Sequence, residues 1–184
     1  VGTAPTAHRG PRPPRRSGDM TIDDFNSLDA EAASAFLRPA LDIARWIDEI
    51  VAARPFATRE QLLRTAATAA EPFTVAEIDQ ALVHHPRIGD RAEGDGAEAE
   101  LSRAEQGGID PDDADLQREL RARNVAYEER FGRVFLIRAA GRTPAEILAT
   151  LEERMGNDAE RELRVIAQQL RQIATGRLEG MTTP

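Results

Sequence analysis

Cysteine and lysine are both absent from this 184-residue chain. Without cysteine there is no disulfide framework and no thiolate metal site. Without lysine there is no side-chain amine for Schiff-base chemistry, and every positive side chain other than histidine is an arginine. A basic excess is missing too. The net charge is −8, which argues against nucleic acid as a partner, because such binding needs a cationic face that displaces counterions. No apolar run approaches the ~20 residues of a membrane span. The opening stretch "VGTAPTAHRGPRPPRRSGD" has no apolar h-region, so it does not read as a signal peptide.

What is present suits a single folded domain. Apolar residues make up 41% of the chain, enough for a core. Residues 1–20 are rich in Pro, Gly and Arg without periodicity and read as a disordered tail, with Met20 a candidate start of the folded part. Residues 21–180 then form one domain. The fold class expected is all-α, with seven or eight helices in a bundle-like arrangement.

The punctuation along the chain is helical. A first apolar segment carries Phe25, Leu28, Phe36 and Leu37 and stops near Pro39. Ile43, Trp46, Ile47, Ile50 and Val51 then share one helix face before Pro55. Thr58 with Gln61, and Thr74 with Glu77, read as capping boxes. Residues 89–100, "GDRAEGDGAEAE", read as an acidic loop. "LSRAEQGG" is a short helix stopped by glycines, with Ser102 and Glu105 spaced as a capping box. A long helix follows, with Leu116, Leu120, Asn124, Tyr127 and Phe131 on one face and Gly132 as its stop. "VFLIRAAG" has no partner strand and reads as buried extended chain or short helix. Thr143 and Pro144 open the next helix, and Asn157 caps the last.

Three places could carry chemistry. "ALVHHPRIGDR" puts two histidines at a helix C-terminus, against a proline that disfavours helical geometry at His85. Imidazole there either caps carbonyls or works as an acid or base. His84 and His85 are adjacent rather than i, i+4, which disfavours a metal site, so no metal ligands are assigned. Ser102 and Glu105 either cap a helix or present polar groups to an anionic ligand. In the last helix the apolar stripe runs 163, 166, 170, 173, and its next member is Arg177. Either the helix frays near Gly176 and the guanidinium snorkels to water, or it is buried against a carboxylate, carbonyls or a ligand anion.

Taken together, several motifs in this order resemble one family, the OHCU decarboxylases. They are His-Pro-x-Ile-Gly from His85, Ser-x-x-Glu-Gln from Ser102, Asn-x-x-Tyr-x-x-x-Phe-Gly from Asn124 and the Phe-x-Ile run at Phe135. Gly141-Arg142, Arg-x-x-Asn at Arg154 and the closing Arg177-Leu178 complete the set. The resemblance spans about residues 22–179 and also takes in Phe25-Asn26, Trp46 and "ARPF". It departs at "LDIARW", where the family carries a Glu and a Ser-Pro before the tryptophan.

The resemblance implies cofactor-free decarboxylation of 2-oxo-4-hydroxy-4-carboxy-5-ureidoimidazoline to (S)-allantoin in urate catabolism. It assigns His85 and Glu105 as catalytic, and Pro86, Ser102, Gln106, Ile137 and Arg177 as substrate-binding. His84 is the spare imidazole. A homodimer is implied as well, with a hydroxyisourate hydrolase as a candidate functional partner; the ending "GMTTP" carries no peroxisomal Ser-Lys-Leu, which makes a cytoplasmic setting the default expectation. Two other readings stay open: an inactive helical scaffold of the same fold, and a lyase or hydrolase acting on another ureido compound.

Overall fold

The computed structural model describes residues 20–83, 85–90, 96–110 and 112–183. Among them are nine helices: α1 (Ile22–Ser27), α2 (Ala30–Leu37), α3 (Ala44–Ala52), α4 (Arg59–Thr68), α5 (Val75–Leu82), α6 (Ala97–Glu105), α7 (Ala114–Phe131), α8 (Pro144–Arg154) and α9 (Ala159–Met181). No strand occurs among the described residues. One isolated bridge joins Met20 to Thr182. The all-α class stands, and the helix count is corrected upward. The first apolar segment is two helices because Asp29, between them, caps α2 by accepting the Ala32 N–H at 2.8 Å. Residues 1–19 of the tail expected over residues 1–20, His84 and residues 91–95 of the acidic loop lie outside the described residues.

Most helix starts follow their caps. Thr74 with Glu77, and Thr143 with Glu146, form reciprocal capping boxes. Thr58 accepts the Gln61 N–H, but the Gln61 side chain takes the N–H of Ala57 instead of closing a box. Three expectations are corrected. Ser102 caps nothing, because α6 already begins at Ala97 after Gly96. The cap of α9 is Asp158, which accepts the Arg161 N–H, and Asn157 is buried one residue earlier. The last helix does not fray at Gly176 but continues to Met181, with Arg177 3% exposed.

Two apolar clusters make the core. The larger gathers α1 to α5 against α9, with Trp46 fully buried and its indole N–H donating to the Ala66 carbonyl at 2.8 Å. Arg171 of α9 stacks 3.9 Å from the centre of the Phe73 ring and donates to the Ala69 and Ala70 carbonyls, tying the end of α4 to α9. The smaller cluster lies between α7 and α8, built on Leu120, Tyr127, Ile147 and Leu151. The run Val134–Ala139 has no regular secondary structure and pairs with no strand among the described residues. It straddles both clusters, giving Leu136 to the first and Phe135 and Ile137 to the second. This run and the loop after α5 become the walls of a pocket.

Candidate active site

The chain leaves α5 at Leu82 and reaches His85, whose N–H still bonds back to the Leu82 carbonyl at 3.1 Å. The imidazole is buried, with Nδ1 2.8 Å from the Ala81 carbonyl oxygen. A carbonyl oxygen can only accept, so Nδ1 carries the proton and Nε2 is the basic nitrogen of the neutral ring. The capping and acid/base readings of this histidine are therefore compatible, because the helix-end carbonyl engages Nδ1 and an acid/base role would fall to Nε2.

After Pro86 the loop is pinned against α7. Asn124 donates to the Ile88 carbonyl at 2.9 Å, and the Gly89 N–H donates to Gln106 Oε1 at 2.8 Å. Gly89 is required here. Its φ is +91°, and a Cβ would sit 3.1 Å from Leu120 Cδ1.

From the other side, α9 delivers Arg177. Its Nε donates to Glu105 Oε1 at 2.7 Å and its terminal nitrogens to Glu105 Oε2 at 3.1 Å, Ser102 Oγ at 2.9 Å and the Pro39 carbonyl at 3.3 Å. The stripe that turned this arginine inward is satisfied by a carboxylate fork rather than by water. Ser102 and Glu105 share one face of the last turn of α6, so one guanidinium reaches both.

These residues surround one small pocket, partly open to solvent. Of the residues singled out in the sequence, His85, Pro86, Ser102, Glu105, Gln106 and Ile137 line it, with Phe135 and Ile173 among the apolar wall. Arg177 does not line it. It stands behind Glu105 and borders a second, roomier cleft with Arg138, Gly176 and Gly180. None of residues 41–46, where the family pattern departs, lines either space. Among the described residues no group of three or more His, Asp or Glu side chains is placed to hold a metal ion.

Behind the pocket wall lies a buried polar network with no counterpart among the candidate site residues. Glu162 is 1% exposed and accepts from Arg154 Nε at 2.8 Å, a terminal nitrogen of Arg154 at 2.6 Å, Asn157 Nδ2 at 2.6 Å and the Tyr127 hydroxyl. Arg154 also donates to the Leu136 carbonyl at 2.7 Å, and its guanidinium lies 4.6 Å from the centre of the Phe135 ring. Burial, and then the bond to Glu162, push the Tyr127 phenol well above its ordinary range, so it stays protonated and donates. The sequence signals for it are Asn-x-x-Tyr, whose Tyr127 falls on the inward face of α7, and Arg-x-x-Asn at Arg154.

An all-helical domain whose pocket is lined by an imidazole, a hydroxyl, a primary amide and a carboxylate, with a guanidinium behind that carboxylate, has the makings of a small-molecule acid/base enzyme. A family model for OHCU decarboxylase matches residues 26–179. The chain belongs to the OHCU decarboxylase family. It is 30% identical to the 2-oxo-4-hydroxy-4-carboxy-5-ureidoimidazoline decarboxylase of Amia calva, over 77% of this chain and 79% of that one. It is 27% identical to the uric acid degradation bifunctional protein PucL of Bacillus subtilis, over 89% of this chain. The chain spans about a third of that relative's length and of its Bacillus sp. (strain TB-90) counterpart's. The fold is similar to the crystal structure of OHCU decarboxylase in the presence of (S)-allantoin, with a TM-score of 0.62, 23% identity and coverage of 82% of this chain and 96% of that one. It is also similar to (S)-allantoin synthase, with a TM-score of 0.65, 21% identity and coverage of 89% and 54% respectively.

Proposed function

We propose that this protein decarboxylates 2-oxo-4-hydroxy-4-carboxy-5-ureidoimidazoline to (S)-allantoin without a cofactor, with His85 as general acid/base. The observation that supports this reading is the convergence of His85, Ser102, Glu105, Gln106 and Ile137 on one pocket in a member of this family.

The substrate carries its own electron sink, a ring C=N beside the carbon that loses carbon dioxide. In the proposed step the carbon–carboxylate bond breaks, its electron pair enters the C=N, and carbon dioxide leaves. One face of the adjacent ring carbon then takes a proton. Nε2 of His85 takes the 4-hydroxyl proton and manages the reprotonation, the work of an imidazole with an ordinary pKa of about 6.5. Glu105 accepts ring or ureido N–H groups through the lone pairs that its bonds to Arg177 leave over. Ser102 and Gln106 fix orientation. Arg177 acts through Glu105 and Ser102, whereas the resemblance alone assigned it to the substrate. The reading extends to a homodimer, a cytoplasmic setting and a hydroxyisourate hydrolase working alongside. No described helix is long and apolar enough to cross a membrane.

The test mixes fresh substrate, made by urate oxidation and hydrolysis, with the protein and EDTA. The circular dichroism of (S)-allantoin is followed against the uncatalysed decay, which gives racemate. A rising (S) signal is expected. An inert protein would support the inactive scaffold, and activity abolished by EDTA would point to a metal.

A further inference from the structure

The buried Arg154–Glu162 pair has its polar output at the pocket wall, and peptide geometry says what that output does. In a trans peptide the C=O of one residue and the N–H of the next point in opposite directions. The first wall shows the consequence: Asn124 holds the Ile88 carbonyl on one side, and the following Gly89 N–H emerges on the other, on Gln106 of the pocket.

The second wall repeats the arrangement. Arg154 holds the Leu136 carbonyl, so the Ile137 N–H faces the opposite way. The next N–H, that of Arg138, is taken by Gln169 Oε1 of α9 at 2.9 Å. Ile137 is buried and lines the pocket, yet among the described residues no acceptor meets its N–H. A buried amide donor without a partner is uncommon and costly.

We propose that Arg154, clamped by Glu162, Tyr127 and Asn157, is a positioning residue that aims the Ile137 N–H into the pocket as a fixed donor for an anionic or carbonyl oxygen of the ligand. The geometry of the clamp supports this role. Tyr127 of α7 and Asn157 just after α8 hold Glu162, and Glu162 takes two nitrogens of Arg154. The third nitrogen is left for Leu136, and the guanidinium face rests on Phe135. Such a donor is worth having only if it does not move, because misplacement by about 1 Å costs on the order of 10²-fold in rate. The inference rests on the decarboxylase reading.

The experiment uses the full chain labelled with [15N]isoleucine, with the Ile137 amide assigned from Ile137→Val and (S)-allantoin as the probe. In the wild type the Ile137 amide proton is expected to move downfield on saturation. Arg154→Met/Glu162→Gln removes both charges together, so it strands neither. It is expected to stay helical, to lose the Ile137 shift and to lose about 10²-fold in kcat. Arg154→Lys keeps a charge against Glu162 but has one nitrogen where three are needed, and is expected to show the same loss. A mere fall in folded fraction would scale kcat with that fraction and leave the Ile137 shift in the molecules still folded.

Variants with wild-type kcat and an intact Ile137 shift would overturn the proposal. So would an Ile137 amide that stays still in an active wild type, a result readable even where neither variant folds. A wild type inert toward the substrate would instead overturn the decarboxylase reading, and this inference with it.

Discussion

Arg177 and Glu105 offer a prediction that can be worked from distances. Arg177→Met removes two charge-assisted bonds to Glu105 and one to Ser102. Breaking a buried ion pair costs about 3–5 kcal/mol. Here the remaining carboxylate keeps 20% of its side-chain exposure while the guanidinium keeps 2%. The stranded carboxylate recovers hydration from the pocket, which lowers the cost of Arg177→Met to about 2.5 kcal/mol. Glu105→Gln does the reverse. It deletes a smaller group but leaves a buried cation with only neutral acceptors, at about 3.5 kcal/mol. The less drastic substitution is therefore the more destabilising one. The double variant leaves no charge stranded and is expected to cost about 3 kcal/mol rather than the ~6 of simple addition, a coupling of about 3 kcal/mol. The assay is urea denaturation followed by far-ultraviolet circular dichroism, with the four Tm values as a check. At about 2–4 °C per kcal/mol for a domain of this size, Glu105→Gln lowers Tm by about 7–14 °C. Single costs that add to within about 0.5 kcal/mol in the double variant would refute the reasoning, because the two groups would then not be paired in solution.

Other outcomes follow from the same site. His85→Ala is expected to lower decarboxylation by about 10²–10⁴-fold while His84→Ala changes little, and equal effects in a steady-state assay would end the assignment. Gly89→Ala must force φ of +91° on a residue with a Cβ and push it to 3.1 Å from Leu120 Cδ1. It is expected to cost about 1–3 kcal/mol in urea denaturation and to lower activity through Gln106. The Arg45 guanidinium, with help from Thr74, holds the Glu77 carboxyl at about 2 against an ordinary 4.5. Its folded pKa lies below its unfolded one, so its contribution is complete above about pH 4.5 and disappears as the pH falls toward 2. Glu77→Gln should flatten the stability curve across that window, measured by urea midpoints from pH 6 to pH 2.

Where the sequence was read well, a local rule carried the answer. Capping side chains, prolines and Gly132, whose φ is +68°, act within one turn of chain, and the helices they delimit are where they were expected. Where it was read less well, the deciding contact was distant. Ser-x-x-Glu at 102–105 satisfies the rule for a cap, but the helix had already started at Ala97 and both side chains had a guanidinium 72 or more residues away to meet. The inward stripe of α9 shows the same limit at both ends. Counted forward from Ile166 it reaches Arg177, a charge that stands out because it interrupts an apolar series. Counted backward from Ile166 by four it reaches Glu162, which is buried, while Leu163, three away, looked like the natural member and is only partly covered. Both steps fit a helix face equally well, so spacing alone chose the apolar residue. Yet a helix whose buried stripe ends in a carboxylate at one end and a guanidinium at the other needs an opposite charge from elsewhere at each. Those partners are Arg154 of α8 and Glu105 of α6, and each abuts one wall of the pocket. The two buried ion pairs of α9 are thus the fixed points from which the pocket is hung, and charge on a buried stripe is the feature of this sequence that marks where its site lies.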